Sequence, residues 1–134
     1  MIDYKSLMVQ AQEARKKSYS PYSHFCVGAA LLTKSGKVYT GCNIENAAFT
    51  PTNCAERTAI FKAVSEGERE FEAIAIVGGK ETQEGGFCAP CGVCRQVIAE
   101  FCEKDFQIVL GNENKYKVYT LDTLLPFSFT KSNL

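Results

Sequence analysis

Residues Cys26 to Thr33 read CVGAALLT, and both alternating faces of that segment, Cys26/Gly28/Ala30/Leu32 and Val27/Ala29/Leu31, are apolar. Successive side chains of a strand point to opposite sides, so this strand must be covered on both. Helices packed above and below a sheet supply such cover, and the rest of the chain offers them. From Asp3 to Ser18 the residues Leu7, Met8, Ala11 and Ala14 recur at helical spacing, with Lys16 and Lys17 near the end that favours cations, until Ser20-Pro21 stops the pattern. Lys34-Ser35-Gly36-Lys37 makes a short turn, and Val38 to Cys42 reads as the returning strand of a hairpin. A polar loop, Asn43 to Asn53, leads to a helix from Cys54 to Val64 that Gly67 can end. Phe71 to Val77 is a strand, Gly78 to Pro90 a loop, and Cys91 to about Glu103 a helix with Val93, Val97, Ile98, Phe101 and Cys102 inward. Phe106 to Leu110 and Tyr116 to Tyr119 complete the strands, and a helical turn at Leu121 to Leu125 meets Pro126. The order α-β-β-α-β-α-β-β implies an α/β fold: a mixed five-stranded sheet in three α/β/α layers. With 134 residues and no repeat or linker, residues 1–134 are expected to form a single domain.

Charge narrows the function classes. Fifteen basic residues balance fifteen acidic ones, which counts against a nucleic-acid binder resting on unpaired lysines and arginines. A small neutral substrate suits that balance better. No apolar stretch approaches the roughly 20 residues that span a bilayer, and the start MIDYK has neither part of a secretory signal. No membrane association and a cytoplasmic home are expected.

Seven cysteines are the compositional excess: Cys26, Cys42, Cys54, Cys88, Cys91, Cys94 and Cys102. An odd number without an export signal argues against a disulfide framework. Two helices each begin at a cysteine, in Cys54-Ala55-Glu56-Arg57 and Pro90-Cys91-Gly92-Val93-Cys94-Arg95. A helix start carries free N–H groups and partial positive charge, which favour the thiolate that a metal requires. Cys91 and Cys94, three apart, share a helix face, and Cys54 can approach from the other helix. Three thiolates leave one position of a tetrahedral zinc open, the mark of a catalytic rather than a structural site. Zinc brings the pKa of bound water from about 15.7 towards about 7. Three thiolates give the site a net negative charge, which Arg57 and Arg95 are placed to offset at the sulfurs. Glu56 can address that open position only if Cys54 lies at the very start of its helix.

These motifs, together with Ser20-Pro21-Tyr22-Ser23-His24-Phe25, Gly41-Cys42-Asn43-Ile44-Glu45-Asn46-Ala47, Arg95-Gln96-Val97 and Leu124-Leu125-Pro126, resemble the small homotetrameric, zinc-dependent cytidine deaminases from about Lys5 to Phe129. The resemblance implies a cytidine-deaminase-like fold and hydrolytic deamination of free cytidine and deoxycytidine to uridine and deoxyuridine, with release of ammonia, in pyrimidine salvage. It implies one zinc per chain on Cys54, Cys91 and Cys94, and Glu56 as the proton shuttle between pyrimidine N3, attacking water and departing amine. The Ala55 N–H and the Ala89 carbonyl would hold the base edge, Asn43 and Glu45 the ribose hydroxyls, and Phe25 would pack on the base. Phe49 and Phe129 would reach a neighbouring subunit's site, making the site composite and the enzyme a homo-oligomer, a tetramer by resemblance.

The chain also departs from the family pattern. Phe49 stands where tyrosine is common, Ala89 replaces serine or threonine, Cys26 and Cys88 are additions, and the tail after Phe129 lacks a glycine-proline. Other readings of the same residues stand beside the family one. Cys88-Ala89-Pro90-Cys91 also fits a thioredoxin-like redox pair, and Cys88 could close a four-cysteine structural zinc site. A deaminase of another small aminopyrimidine compound, or of RNA, would keep the chemistry and change the substrate. Cys26, Cys42 and Cys102 read as small buried hydrophobes, His24 as a surface or capping residue, and Asn43 as a turn cap. Without the resemblance, Phe25 and Phe129 read as core and Arg57 and Arg95 as solvated helix charges.

Overall fold

The computed structural model describes all residues, 1–134. Its elements are α1 (Tyr4–Arg15), β1 (Phe25–Thr33), β2 (Val38–Cys42), α2 (Ala55–Ser65), β3 (Phe71–Lys80), α3 (Gly92–Phe101), β4 (Gln107–Gly111), β5 (Tyr116–Thr120) and α4 (Leu121–Leu124), with a 3₁₀ turn at Lys131–Asn133. The strands form one sheet in the order β2-β1-β3-β4-β5. All neighbours run antiparallel except β3 and β4, the parallel pair that α3 connects, so the sheet is mixed as expected.

The alternation of β1 sets the layers. Ala30 faces α1 with Leu7, Met8 and Ala11, while Ala29 and Leu31 face a second core built with Ala59, Ile60 and Ile98 of α2 and α3. Ile74, Ile76, Ile108 and Leu110 of the central strands join that second core, and Ala73, Ala75, Val77 and Val109 join the first. Two glycines let the helices come close. A Cβ on Gly28 would lie 2.0 Å from the Ala11 carbonyl oxygen of α1, and one on Gly41 2.6 Å from both Ala55 O and Ala59 N of α2. No helix is long and apolar enough to cross a membrane.

Element boundaries differ from expectation for local reasons. Helix α1 ends at Arg15 rather than Ser18, because Tyr19 is drawn into a bridge beside Ile44: its N–H donates to Asn43 O at 3.0 Å and its carbonyl accepts from Glu45 N at 2.8 Å. Strand β3 runs past Val77 to Lys80, since the ladder with β1 continues to the Phe25–Lys80 pair after the apolar pattern has ended. Cys54 and Cys91 stand just before their helices as N-caps in extended conformation.

The fit at Gly41 places the start of α2. Gly41→Ala forces α2 outward and lowers stability by about 1–3 kcal/mol, measured by denaturant unfolding of the zinc-loaded protein; unchanged stability would show that α2 has room to spare.

A three-thiolate centre at two helix starts

The N-cap geometry decides what Cys54 can do. With φ −74° and ψ 157° its side chain makes no cap hydrogen bond, so the sulfur is free to turn inward, and the Ala55 N–H at the start of α2 is one of the helix's unpaired donors. Cys91, capping α3 with φ −67° and ψ 167°, accepts from the Cys94 N–H at 3.5 Å. The sulfurs of Cys54, Cys91 and Cys94 all lie within 4.8 Å of one another, and those of Cys54 and Cys91 are 3.8 Å apart. Tetrahedral zinc with Zn–S bonds of about 2.3 Å needs sulfurs about 3.8 Å apart, so the donor set fits the ion in chemistry and in spacing. The three cysteines are positioned to hold one zinc. Cys94 is fully buried and Cys91 exposed, so the centre opens to one side.

Charge at the centre is arranged for thiolates. The Cys94 thiol against the Cys54 sulfur, helped by the Arg57 guanidinium, holds Cys54 down to about 5, and the same contact pushes Cys94 up. Arg57 Nη2 donates to Cys54 Sγ at 3.4 Å, while its buried Nε has no protein partner. Burial works against the Arg57 charge, but the two sulfurs outweigh it and keep the guanidinium cationic. Arg95 does not share this work. It donates from Nε to Pro90 O and from Nη1 to Leu124 O, both at 2.7 Å, so the expectation that it bonds the sulfurs is corrected. An arginine at the fourth position of α3 is carried past the sulfurs and reaches the carbonyls of Pro90, just before the helix, and of Leu124 in α4 instead.

Glu56 lies two residues after the N-cap and is 4% exposed. Burial raises its carboxyl to about 7, with the Cys54 charge adding to the effect. The condition set by the sequence, that Cys54 begin its helix, is met. Cys88 stays outside the sulfur cluster: it fills the space that a side chain on Gly78 would need, 2.7 Å from that Cβ position, and burial pushes its thiol up to about 11. Neither the four-cysteine zinc site nor a Cys88–Cys91 redox pair is assembled.

The remaining residues singled out from the sequence fall into two groups. The Phe25 ring reaches 3.3 Å from the Gly78 Cβ position, beside Cys88. Asn43 clamps β1: its Oδ1 accepts from Val27 N at 2.9 Å and from Ser18 Oγ at 2.5 Å, and its Nδ2 donates to Phe25 O at 2.8 Å. Glu45 accepts from Tyr22 N at 2.9 Å, Ser23 N at 3.2 Å and Ser23 Oγ, and the Ser23 hydroxyl holds its carboxyl below the usual range. Ala89, exposed, precedes Pro90 on the approach to Cys91. The outward group is Phe49 and Phe129, 74% and 61% exposed. Phe49, at φ +62°, lines a groove of about 440 Å³ with Glu45, Tyr22 and Ser23. A cleft of about 620 Å³ lies at the opposite end of β3 around Phe71 and Phe101 and holds none of these residues. Sequence reasoning gave Ser23, Gly41 and Gly78 no role of their own, though Ser23 and Gly41 stand within the quoted motifs; what they do depends on long-range approach.

Comparison with known proteins agrees with this geometry. The family described as cytidine and deoxycytidylate deaminase zinc-binding region matches residues 1–110. A cytidine deaminase of Sporosarcina psychrophila is 49% identical over 134 residues, covering 99% of this chain and 96% of its own. One from Halalkalibacterium halodurans is 48% identical, covering 99% and 98%. The crystal structure of cytidine deaminase from Burkholderia pseudomallei superposes with a TM-score of 0.86 at 47% identity over 96% of this chain and 100% of that one. A sulfur triad from two helix caps and the first turn of α3, a buried glutamate beside it and matches along nearly the whole chain place this protein in the zinc-binding cytidine and deoxycytidylate deaminase family.

Proposed function

We propose that the chain deaminates free cytidine and deoxycytidine by hydrolysis, yielding uridine or deoxyuridine and ammonia for pyrimidine salvage, with residues 1–134 acting as one catalytic domain. The observation that carries this reading is the buried Glu56 carboxyl two residues beyond an N-cap ligand, beside three convergent sulfurs. Zinc, when bound, supplies Lewis acidity and one open coordination position that acidifies water at neutral pH. Glu56, raised to about 7 by burial, can both take and return a proton there, serving pyrimidine N3 and then the departing amine. The free Ala55 N–H and the Ala89 carbonyl hold the polar edge of the base, and Phe25 packs on its face. Glu45 presents its carboxylate, and Asn43 its remaining amide hydrogen, to the ribose hydroxyls. Arg57 offsets the excess charge of the thiolates.

Three exposed phenylalanines support a homo-oligomer with composite sites. Phe49, Phe127 and Phe129 are 74%, 104% and 61% exposed, and Phe49 and Phe127 hold left-handed backbone conformations that a bulky residue rarely adopts. Burial against other copies, as in a tetramer, removes that apolar surface from water. A cytoplasmic location agrees with seven free cysteines, three of which must stay thiolates.

Glu56→Gln keeps the fold and one zinc per chain but lowers kcat on cytidine by about 10²- to 10⁴-fold, the usual worth of a positioned acid–base group. The ultraviolet change of cytidine to uridine follows it, and an unchanged rate would remove Glu56 from proton transfer. Cys88→Ser retains zinc and turnover, whereas Cys94→Ser loses the metal, as atomic absorption can show; metal loss from Cys88→Ser would make Cys88 a ligand. Phe129→Ala leaves the zinc content alone and weakens cytidine use; if it melts the subunit instead, Phe129 belongs to the core.

A further inference from the structure

Two charged side chains are buried in this protein, Glu56 and Arg15, and the chemistry above uses only the first. Arg15, the last residue of α1, is 8% exposed and forms no salt bridge. Its guanidinium donates to four carbonyls: Nε to Cys26 O at 3.0 Å, and Nη2 to Gly79 O at 3.0 Å, Lys80 O at 2.7 Å and Gln83 O at 3.1 Å. These belong to two segments. Cys26 follows Phe25 in β1, while Gly79 and Lys80 end β3 and Gln83 lies in the loop that follows, which runs through Cys88 and Ala89 to the ligand Cys91.

The two segments meet where the base is expected. At the Gly78 Cβ position the Phe25 ring is 3.3 Å away and the Cys88 sulfur 2.7 Å away, and the Arg15 partners Cys26 and Gly79 are the chain neighbours of Phe25 and Gly78. The loop has little else to fix it, since Lys80 to Glu84 are all exposed. The β1–β3 ladder pairs Cys26 with Gly79 and Phe25 with Lys80, where it ends, and past that point the ties are backbone or amide bonds: Gln83 N to Lys80 O at 2.9 Å, the Gly78–Gly86 pair, Glu81 N to His24 O at 2.8 Å, and Asn112 Nδ2 to Gly85 O at 3.0 Å. Only a planar fork with several donors spans both segments from one side chain; a lysine ammonium offers donors from a single point.

We propose that Arg15 is a positioning residue for the reaction, holding the Phe25 wall and the loop that delivers Ala89 at a fixed spacing across the base. The proposal rests on the cytidine reading for its kinetic consequence and on the four hydrogen bonds alone for its mechanical one. In the zinc-loaded enzyme, Arg15→Lys and Arg15→Met are expected to raise KM for cytidine about tenfold or more while kcat changes by less than about threefold, the pattern of lost binding rather than lost chemistry. Limited trypsin digestion read by mass spectrometry is expected to show cleavage after Lys80 at least about tenfold faster, with zinc content and circular dichroism unchanged. Should Arg15→Met fail to fold, Arg15→Lys, which keeps the charge and stem, carries the test. An unchanged KM, or unchanged cleavage after Lys80, overturns the proposal, as does a lower melting temperature with both unaltered. If the wild-type enzyme leaves cytidine untouched, the substrate reading fails and the trypsin result judges the clamp by itself.

Discussion

Three sulfurs gathered around one ion leave little freedom in where two helices begin. Cys54 and Cys91 meet this demand as N-caps, in the extended conformation just before α2 and α3, and Cys94 meets it from within the first turn of α3. The helix starts in turn depend on the sheet. The start of α2 is pressed onto β2 at Gly41, and α3 is the crossover between the parallel strands β3 and β4. The same cap geometry brings Glu56 beside the sulfurs and leaves the Ala55 N–H free, so the function proposed above draws metal holding, proton transfer and base recognition from one turn of helix.

Much of this was legible in the residue pattern, and the reason is physical. A strand apolar on both faces requires two covering layers, and the periodicities of 2 and 3.6 residues separate strands from helices over most of the chain. The thiol spacing Cys91-Gly92-Val93-Cys94 and the start Cys54-Ala55-Glu56 have a local geometric meaning and could be read without a fold. What escaped depends on distant backbone. The direction of Arg95, away from the sulfurs and onto Pro90 O and Leu124 O, follows from where α4 ends. The extension of β3 to Lys80 follows from the length of β1. The exclusion of Cys88 from the sulfur cluster follows from the space at Gly78.

Polar residues around the site do more scaffolding than their chemistry suggests. Asn43 places three of its hydrogen bonds in holding β1 and Ser18, and Glu45 is fastened to the Tyr22–Ser23 turn. A group already fixed in this way loses little entropy when a substrate arrives, which is how a binding wall is preorganised. Charge follows the same economy of placement: Arg57 faces the thiolates and Arg15 the carbonyls, while the surface remains neutral overall.

The central claim is that two helix caps and one helical cysteine hold zinc through three thiolates and leave its fourth position open. X-ray absorption at the zinc edge of the purified protein tests this directly. The account predicts three sulfur neighbours at about 2.3 Å and one nitrogen or oxygen neighbour; four sulfur neighbours would contradict it, since Cys88 would then close the site and no position would remain for chemistry.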